Sequence, residues 1–286
     1  MNKKLTVQVM LVIVMISCRQ GIAQPKNLLF VGARPMAMGE AFVGVADDGN
    51  AVYWNPAGLS FINRSELNSM YTNLFRSGVK NTYLSMIVPL HNRIVLGADW
   101  CRIGFKDEEL AYSNNQFNIA FAYQIYDRFA IGTNLKYLKN RAELSRKFEE
   151  KGSGWGGDIG LFLNYSEKLK FGFMAYDFLE TSIKYKDGSS ENYRNRNIRV
   201  GASYRPLADL LLAMDIDDRF HFGSEYVLLN RFAFRTGIEK YMQTSEEFFY
   251  SFGFGLSWQL ISFDYSYTMH SDLENTSRFS LRFILY

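Results

Sequence analysis

The chain of 286 residues is 48% hydrophobic and 16% aromatic, with 24 Phe and 18 Tyr, and it holds 22 Gly but only 5 Pro. Aromatic-rich, proline-poor and glycine-punctuated composition suits strands. A formal net charge of +3 gives no basis for nucleic-acid binding, and two cysteines, Cys18 and Cys101, supply no disulfide framework.

Residues 1–23 read as a secretory signal peptide. Lys3 and Lys4 precede the apolar run Val9 to Ile16, and Gly21-Ile22-Ala23 offers small residues for cleavage. The run is too short to span a bilayer, which takes about 20 residues. Met15-Ile16-Ser17-Cys18 loosely resembles a lipobox, with Met where Leu is usual, so cleavage after Ala23 is the expectation. Removal takes Lys3, Lys4 and Arg19 and no acid from a chain with 32 bases and 29 acids, leaving an exported part without net charge.

Residues 24–62 form a second unit. The stretch 32–60, GARPMAMGEAFVGVADDGNAVYWNPAGLS, shows no alternation. Ala33, Ala37, Gly39, Ala41 and Gly44 permit close backbone contact with a neighbouring surface. Asp48 is placed to cap a short helix from about Asn50. Pro56 ends it by pushing Asn55 out of helical geometry.

From residue 63 to 286 the chain alternates large apolar residues with small or polar ones. In residues 116–125, Phe117, Ile119, Phe121, Tyr123 and Ile125 share one face, while Asn118, Ala120, Ala122 and Gln124 share the other. Residues 128–138, 247–258 and 261–269 repeat the pattern. Fourteen such stretches occur, near 66–75, 79–90, 93–103, 116–125, 128–138, 154–165, 168–178, 196–205, 208–216, 220–228, 231–240, 247–258, 261–269 and 277–286. Every second connector is tight, as at residues 91, 126, 166, 206, 229 and 259. Long polar ones alternate with these at 104–115, 139–154 and 179–195.

That is an up-and-down meander with its short turns at one end. Strands of about ten residues, even in number and greasy on one face, describe an outer-membrane barrel better than a soluble sandwich. In lipid the sheet must close, because an open edge would leave backbone groups without partners. The expected fold is therefore all-β, a transmembrane antiparallel β-barrel of about fourteen strands. Its location would be the outer membrane of a Gram-negative-type bacterium, with outer-membrane lipid as the surrounding partner. A barrel this wide is not filled by side chains from its own wall, so residues 24–62 read as a hatch in the lumen. Arg34, Asp47 and Asp48 are its polar groups, expected to pair with wall residues such as Lys136 or Asp158. Lys136, Asp158, Arg199, Asp215, Arg235 and Glu239 all fall on the inward register.

Gly32-Ala33-Arg34, then Met38-Gly39-Glu40-Ala41-Phe42, then Ala46-Asp47-Asp48 and the run Asn50 to Leu59, which includes Asn55, Pro56 and Gly58, resemble the N-terminal signature of the PorV/PorQ family. Gly-Trp-Gly-Gly-Asp-Ile-Gly at 154–160 adds to the likeness. That family is related to FadL-type long-chain fatty acid transporters. The resemblance implies a fourteen-stranded outer-membrane barrel with an N-terminal hatch. It also implies one of two non-catalytic tasks: passage of a hydrophobic, fatty-acid-like small molecule, or handling of exported protein cargo for a type IX secretion system.

Catalysis and cofactors have little support. His270 lies near Asp272 on a connector, where a surface hydrolase could place such a pair, but a solvated loop histidine explains it better. Asp215-Ile216-Asp217-Asp218 lacks EF-hand spacing. We expect no catalytic residue, metal or cofactor. The alternatives are a surface-facing hydrolase or a purely structural, porin-like barrel. The C-terminal RFSLRFILY puts Phe279, Leu281, Phe283 and Leu285 on the outward row, with Tyr286 out of phase.

Overall fold

The computed structural model describes residues 31–90, 93–144, 148–193, 196–242, 248–270 and 273–285. The signal peptide expected over 1–23, Cys18, Asp272 and Tyr286 lie outside them. Strands β1 (Ser65–Leu74), β2 (Val79–Pro89), β3 (Ile94–Lys106), β4 (Leu110–Tyr126), β5 (Phe129–Leu144), β6 (Phe148–Asn164) and β7 (Leu169–Tyr176) make half of a barrel. A small hairpin follows, β8 (Ser182–Tyr185) and β9 (Ser190–Asn192). The other half is β10 (Asn197–Leu207), β11 (Leu210–Ile216), β12 (Arg219–Leu228), β13 (Phe232–Tyr241), β14 (Phe249–Trp258), β15 (Ile261–Thr268) and β16 (Thr276–Leu285).

All pairings are antiparallel, and β7 pairs directly with β10. The seam closes where β1 pairs with β16, from Ser65 opposite Leu285 to Thr72 opposite Arg278. Without the β8–β9 hairpin, fourteen strands form a closed ring. Closure leaves no open edge, which is what a sheet in hydrocarbon requires.

Period-2 alternation decides which residues face out. The C-terminal row Phe279, Leu281, Phe283 and Leu285 is exposed, as are Phe117, Ile119, Phe121 and Tyr123 on β4 and Tyr250, Phe252, Leu256 and Trp258 on β14. Their strand neighbours Asn118, Ala120, Ala122, Asn134, Ser251 and Ser266 are buried in the lumen. An apolar belt around the whole circumference far exceeds the few hundred Å² a soluble monomer leaves bare. No helix among the described residues is long and apolar enough to cross a membrane.

The connections at 127–128, 208–209, 229–231 and 259–260 and both barrel termini lie at one end, the turn end; the opposite, loop end also has tight connections, at 107–109 and 217–218. The loop end differs from the sequence-based expectation. Residues 104–115 and 139–154, expected as long connectors, are mostly strand: β4 begins at Leu110, β5 runs to Leu144 and β6 starts at Phe148. Beyond an apolar layer a paired strand no longer needs greasy outward residues, so the ladder continues in polar sequence. Likewise 179–195 holds β8 and β9, which take the edge of β6 left free where β7 stops; Gly152 pairs with Tyr185 there. The wall is thus tall at β4–β6, with 16–17 residues per strand, and low at β11, with 7.

Residues 31–62 lie inside the ring. They form α1 (Ala33–Ala37), α2 (Ala51–Trp54) and a 3₁₀ turn (Pro56–Phe61). Ala33, Ala37, Met38, Phe42, Ala51 and Val52 are wholly buried. Asp48 acts at the start of α2, its carboxylate accepting from the backbone N–H of Asn50 at 2.9 Å. Asn55 is extended, at φ −162°, and its side chain accepts from Ala57 N–H as Pro56 opens the 3₁₀ turn. Helix α1 went unseen in the sequence because Gly32 and Pro35 flank its first turn.

The wall meets this segment through small residues. A Cβ on Gly237 of β13 would overlap the backbone of Gly39, one on Gly172 of β7 the carbonyl of Val43, and one on Gly132 of β5 the backbone of Ala57. Gly39 itself turns the chain out of α1 at φ 62°. Gly58 packs against Ala46 within the segment.

Candidate functional site in the barrel lumen

The lumen holds two chemically distinct zones. The first is a set of charged groups fastening residues 31–62 to the wall. Arg34 on α1 donates through Nε and Nη2 to both carboxylate oxygens of Glu225 on β12, at 2.8 and 2.9 Å. Its Nη1 reaches Asp47 at 2.6 Å and Asp48 at 2.8 Å. Glu225 also accepts from Arg235 at 2.6 Å, and Arg235 reaches Asp264 on β15 at 2.7 Å. The Arg34 guanidinium lies over the ring of Phe42, 5.3 Å from its centroid.

The backbone of the segment is held as tightly. Asp215 on β11 accepts from the N–H groups of Phe42 and Val43 at 2.9 and 2.8 Å. Ser203 donates to the Gly44 carbonyl at 2.7 Å, and Asn134 to that of Val52 at 2.8 Å. Asn55 donates both to Val43 within the segment and to Leu161 on β6, each at 3.1 Å. These bonds satisfy buried polar groups that would otherwise each cost about 1–3 kcal/mol.

A second group of charges lies nearer the loop end. Arg199 contacts Asp217 at 2.8 Å and Glu40 at 3.7 Å. His221 donates from Nδ1 to the Gly39 carbonyl at 2.8 Å, which places its Nε2 toward Asp217 at 3.3 Å. Glu239 pairs with Arg219. Glu40, His221 and Glu239 bring their ligand atoms within 4.8 Å of one another. Arg199 and Arg219 sit against the two glutamates, so the arrangement reads as an ion-pair network fastening Glu40 and Gly39.

Lys136 and Asp158 are brought together, at 2.7 Å, but not with Arg34, Asp47 or Asp48 as the sequence reading expected. Lys136 takes Asp177 as its second carboxylate at 3.2 Å. Arg34 instead finds Asp47 and Asp48 on its own segment, because the chain doubles back between α1 and α2. The sequence reading missed Asp177, Arg219, Asp264 and above all Glu225, on a weakly alternating strand. Its shared face with His221 and Gly223 was the signal available.

The second zone is apolar. Leu74, Val79, Tyr83, Ile103 and Phe105 point into the lumen from β1–β3 and are buried. They pack in one cluster with Met36, Met38, Tyr53 and Trp54 of the inner segment, and Leu110 and Tyr112 of β4 border it. A strip of greasy side chains therefore leads from the loop end of β1–β3 to the inner segment. Above it, Tyr193 from the β9–β10 connection bonds to the lumenal Asn114 of β4.

His270 is not a solvated loop residue. Its ring stands edge-on to Phe75 and Phe249, with centroids 5.0 and 5.9 Å away. Burial, then the charge of Arg278, pushes its pKa down to about 4. A ring held this way is poorly placed as a general base.

No family model and no curated protein matches this sequence. Solved structures do match its fold. A monoaromatic hydrocarbon channel, CymD, superposes with a TM-score of 0.71 at 12% identity over 91% of this chain and 99% of that one. The toluene transporter TbuX of Ralstonia pickettii gives 0.70 at 12% identity over 91% and 100%. A FadL homologue of Pseudomonas aeruginosa gives 0.60 at 12% identity over 90% and 97%. These neighbours are a channel, a transporter and a FadL homologue, and at this identity the likeness is one of fold.

Proposed function

We propose that this chain is an outer-membrane channel for small hydrophobic molecules, with residues 24–62 as its plug and residues 63–286 as its membrane wall. The observation that carries the reading is the apolar strip of Leu74, Val79, Tyr83, Ile103 and Phe105 inside the lumen. A barrel that conducts water and ions has a polar interior. An apolar lining serves a solute that is itself apolar, and it ends on the apolar face of the plug. Residues Arg34, Met38, Gly39, Asp47, Asp48, Asn50, Asn55, Pro56 and Gly58 hold the plug's shape and attachment. Lys136, Asp158, Arg199, Arg235 and Glu239 are wall fasteners rather than a polar path for ligand. The substrates named for CymD and TbuX support a hydrocarbon-like solute; the resemblance of residues 32–59 to a family related to long-chain fatty acid transporters supports a longer acyl chain. Signal-peptide removal after Ala23 completes the route.

A second reading makes the chain an accessory of type IX secretion, and the likeness of residues 32–59 to the PorV/PorQ signature favours it. Native mass spectrometry of protein gently extracted from outer membranes separates the two. A bound amphiphile of low mass, displaced by an added fatty acid or aromatic hydrocarbon, supports the channel. A co-purifying exported protein without any small ligand overturns it in favour of secretion.

A further inference from the structure

The outward face of β3–β6 carries an ordered pattern that an apolar belt alone does not need. Trp100, Phe117, Tyr137 and Trp155 stand directly opposite one another across four adjacent strands. Trp100 stacks on Phe117 at 6.5 Å and Tyr137 lies 4.8 Å from Trp155. Asn115 accepts from the Trp100 indole at 3.2 Å, fixing that ring's polar edge toward the loop end. Such rings mark the boundary between hydrocarbon and headgroups.

One step beyond the aromatic row, toward the loop end, the registered row is Thr82, Arg102, Asn115, Lys139, Ser153 and Lys184, the last supplied by β8. It contains three cations and no acid. Arg102, Lys139 and Lys184 are exposed, and none has a carboxylate within ion-pair distance among the described residues. Adjacent cations are two strands apart, roughly 10 Å. The next row adds Lys80, Arg141 and Lys151. Glu143 and Glu149 sit farther out still and engage Arg141 and Lys151 at 2.7–3.1 Å.

We infer that this face is a binding site for an anionic lipid of the surrounding leaflet, one with a phosphorylated headgroup. The acyl chains lie along Phe117, Ile119, Leu135 and Trp155, and the phosphates rest on Arg102, Lys139 and Lys184. Charge complementarity selects the headgroup, since unpaired cations at headgroup depth attract phosphate at about 1 kcal/mol per charge. The aromatic row directly beneath selects a lipid over a free anion. The β8–β9 hairpin gains a role here, because it extends the wall sideways and delivers Lys184 to the row. The inference rests on the membrane reading of the barrel but not on what the lumen carries.

The test reconstitutes the full chain in phosphatidylethanolamine vesicles doped with diphosphoryl lipid A or with its dephosphorylated form, then measures retention of each lipid through delipidation and native mass spectrometry. The phosphorylated lipid is expected to be retained selectively. The triple variant Arg102→Gln, Lys139→Gln, Lys184→Gln should weaken retention roughly a hundredfold, while Arg102→Lys, Lys139→Arg, Lys184→Arg keeps it. Equal retention of both lipids, undiminished retention by the neutral triple variant, or complete displacement by inorganic phosphate would overturn the site. Failure to enter any vesicle would overturn the membrane reading and the lipid site with it; insertion without selectivity overturns the lipid site alone.

Discussion

Arg34 and Glu225 stand 191 residues apart in sequence and meet through two parallel nitrogen–oxygen contacts of 2.8 and 2.9 Å. Bidentate geometry of this kind fixes orientation as well as distance. With Asp47 and Asp48 on the remaining nitrogen, one guanidinium joins the start and the middle of the inner segment to β12.

Replacing it takes a cation from Asp47, Asp48 and Glu225 at once, leaving only Arg235 on Glu225 and Arg282 near Asp48 among the described residues. Breaking a buried pair from one side typically costs about 3–5 kcal/mol. The barrel's strand ladder does not depend on Arg34, so the loss falls on the inner segment. Arg34→Met should keep the heat-dependent gel mobility of a folded barrel but raise ion conductance in planar bilayers. Conductance unchanged from the parent protein would show that these residues do not seal the lumen.

Gly237 gives a second route to the same state. A side chain there overlaps the backbone of Gly39, and backbone on both sides has nowhere to move. Gly237→Val should expel the segment, read as new protease cleavage between residues 31 and 62 with the barrel core intact. Resistance to protease equal to that of the parent would sink the prediction.

Much of this was legible beforehand, and the reasons are physical. Lipid on one side and a filled lumen on the other impose a period of two, so fourteen strands and the inward positions of Lys136, Asp158, Arg199, Arg235 and Glu239 could be read from alternation. The tall wall was not legible, because outside the apolar layer Lys139, Arg141 and Glu149 are as acceptable in a strand as in a loop. Nor were the partners of Arg34 and Lys136. Inward-facing charges are interchangeable on a strand diagram, and the fold of residues 31–62 decides which meet.

The apolar strip predicts a change in ligand rather than in folding. Ile103→Asp puts a carboxylate among Leu74, Val79 and Phe105, where it has no partner. Retention of a hydrocarbon or fatty acid should fall more than about fivefold, since one unpaired polar group in apolar surroundings costs over 1 kcal/mol. Barrel formation should persist, because the strand pairing is unaltered. Undiminished retention, measured by native mass spectrometry, would remove the strip from the ligand path.

His270 predicts a pH dependence. Its pKa in the folded chain, about 4, is lower than in the unfolded chain, where the ordinary imidazole value of 6.5 applies. Between these values the unfolded state binds more protons, so stability falls as pH drops from about 6.5 toward 4 and is flat above it. His270→Phe should remove this slope while preserving the ring packing against Phe75 and Phe249. Unfolding midpoints in urea at neutral pH and at pH near 5 give the comparison, and an identical slope in both proteins would exclude His270 as its source.

The inner segment also bears on how the ring shuts. Ala33 donates to Ser280 and Asp48 faces Arg282, both on β16, while Gly32 contacts Met70 and Gly49 donates to Glu66, both on β1. These two strands open and close the barrel sequence, and their union carries the largest loop-closure cost in the chain. Residues 31–62 bridge that junction from within, as a splint sutures two edges. Tied to β1 by only a few residues, they are positioned to capture β16, so the last step of assembly and the filling of the interior become one event.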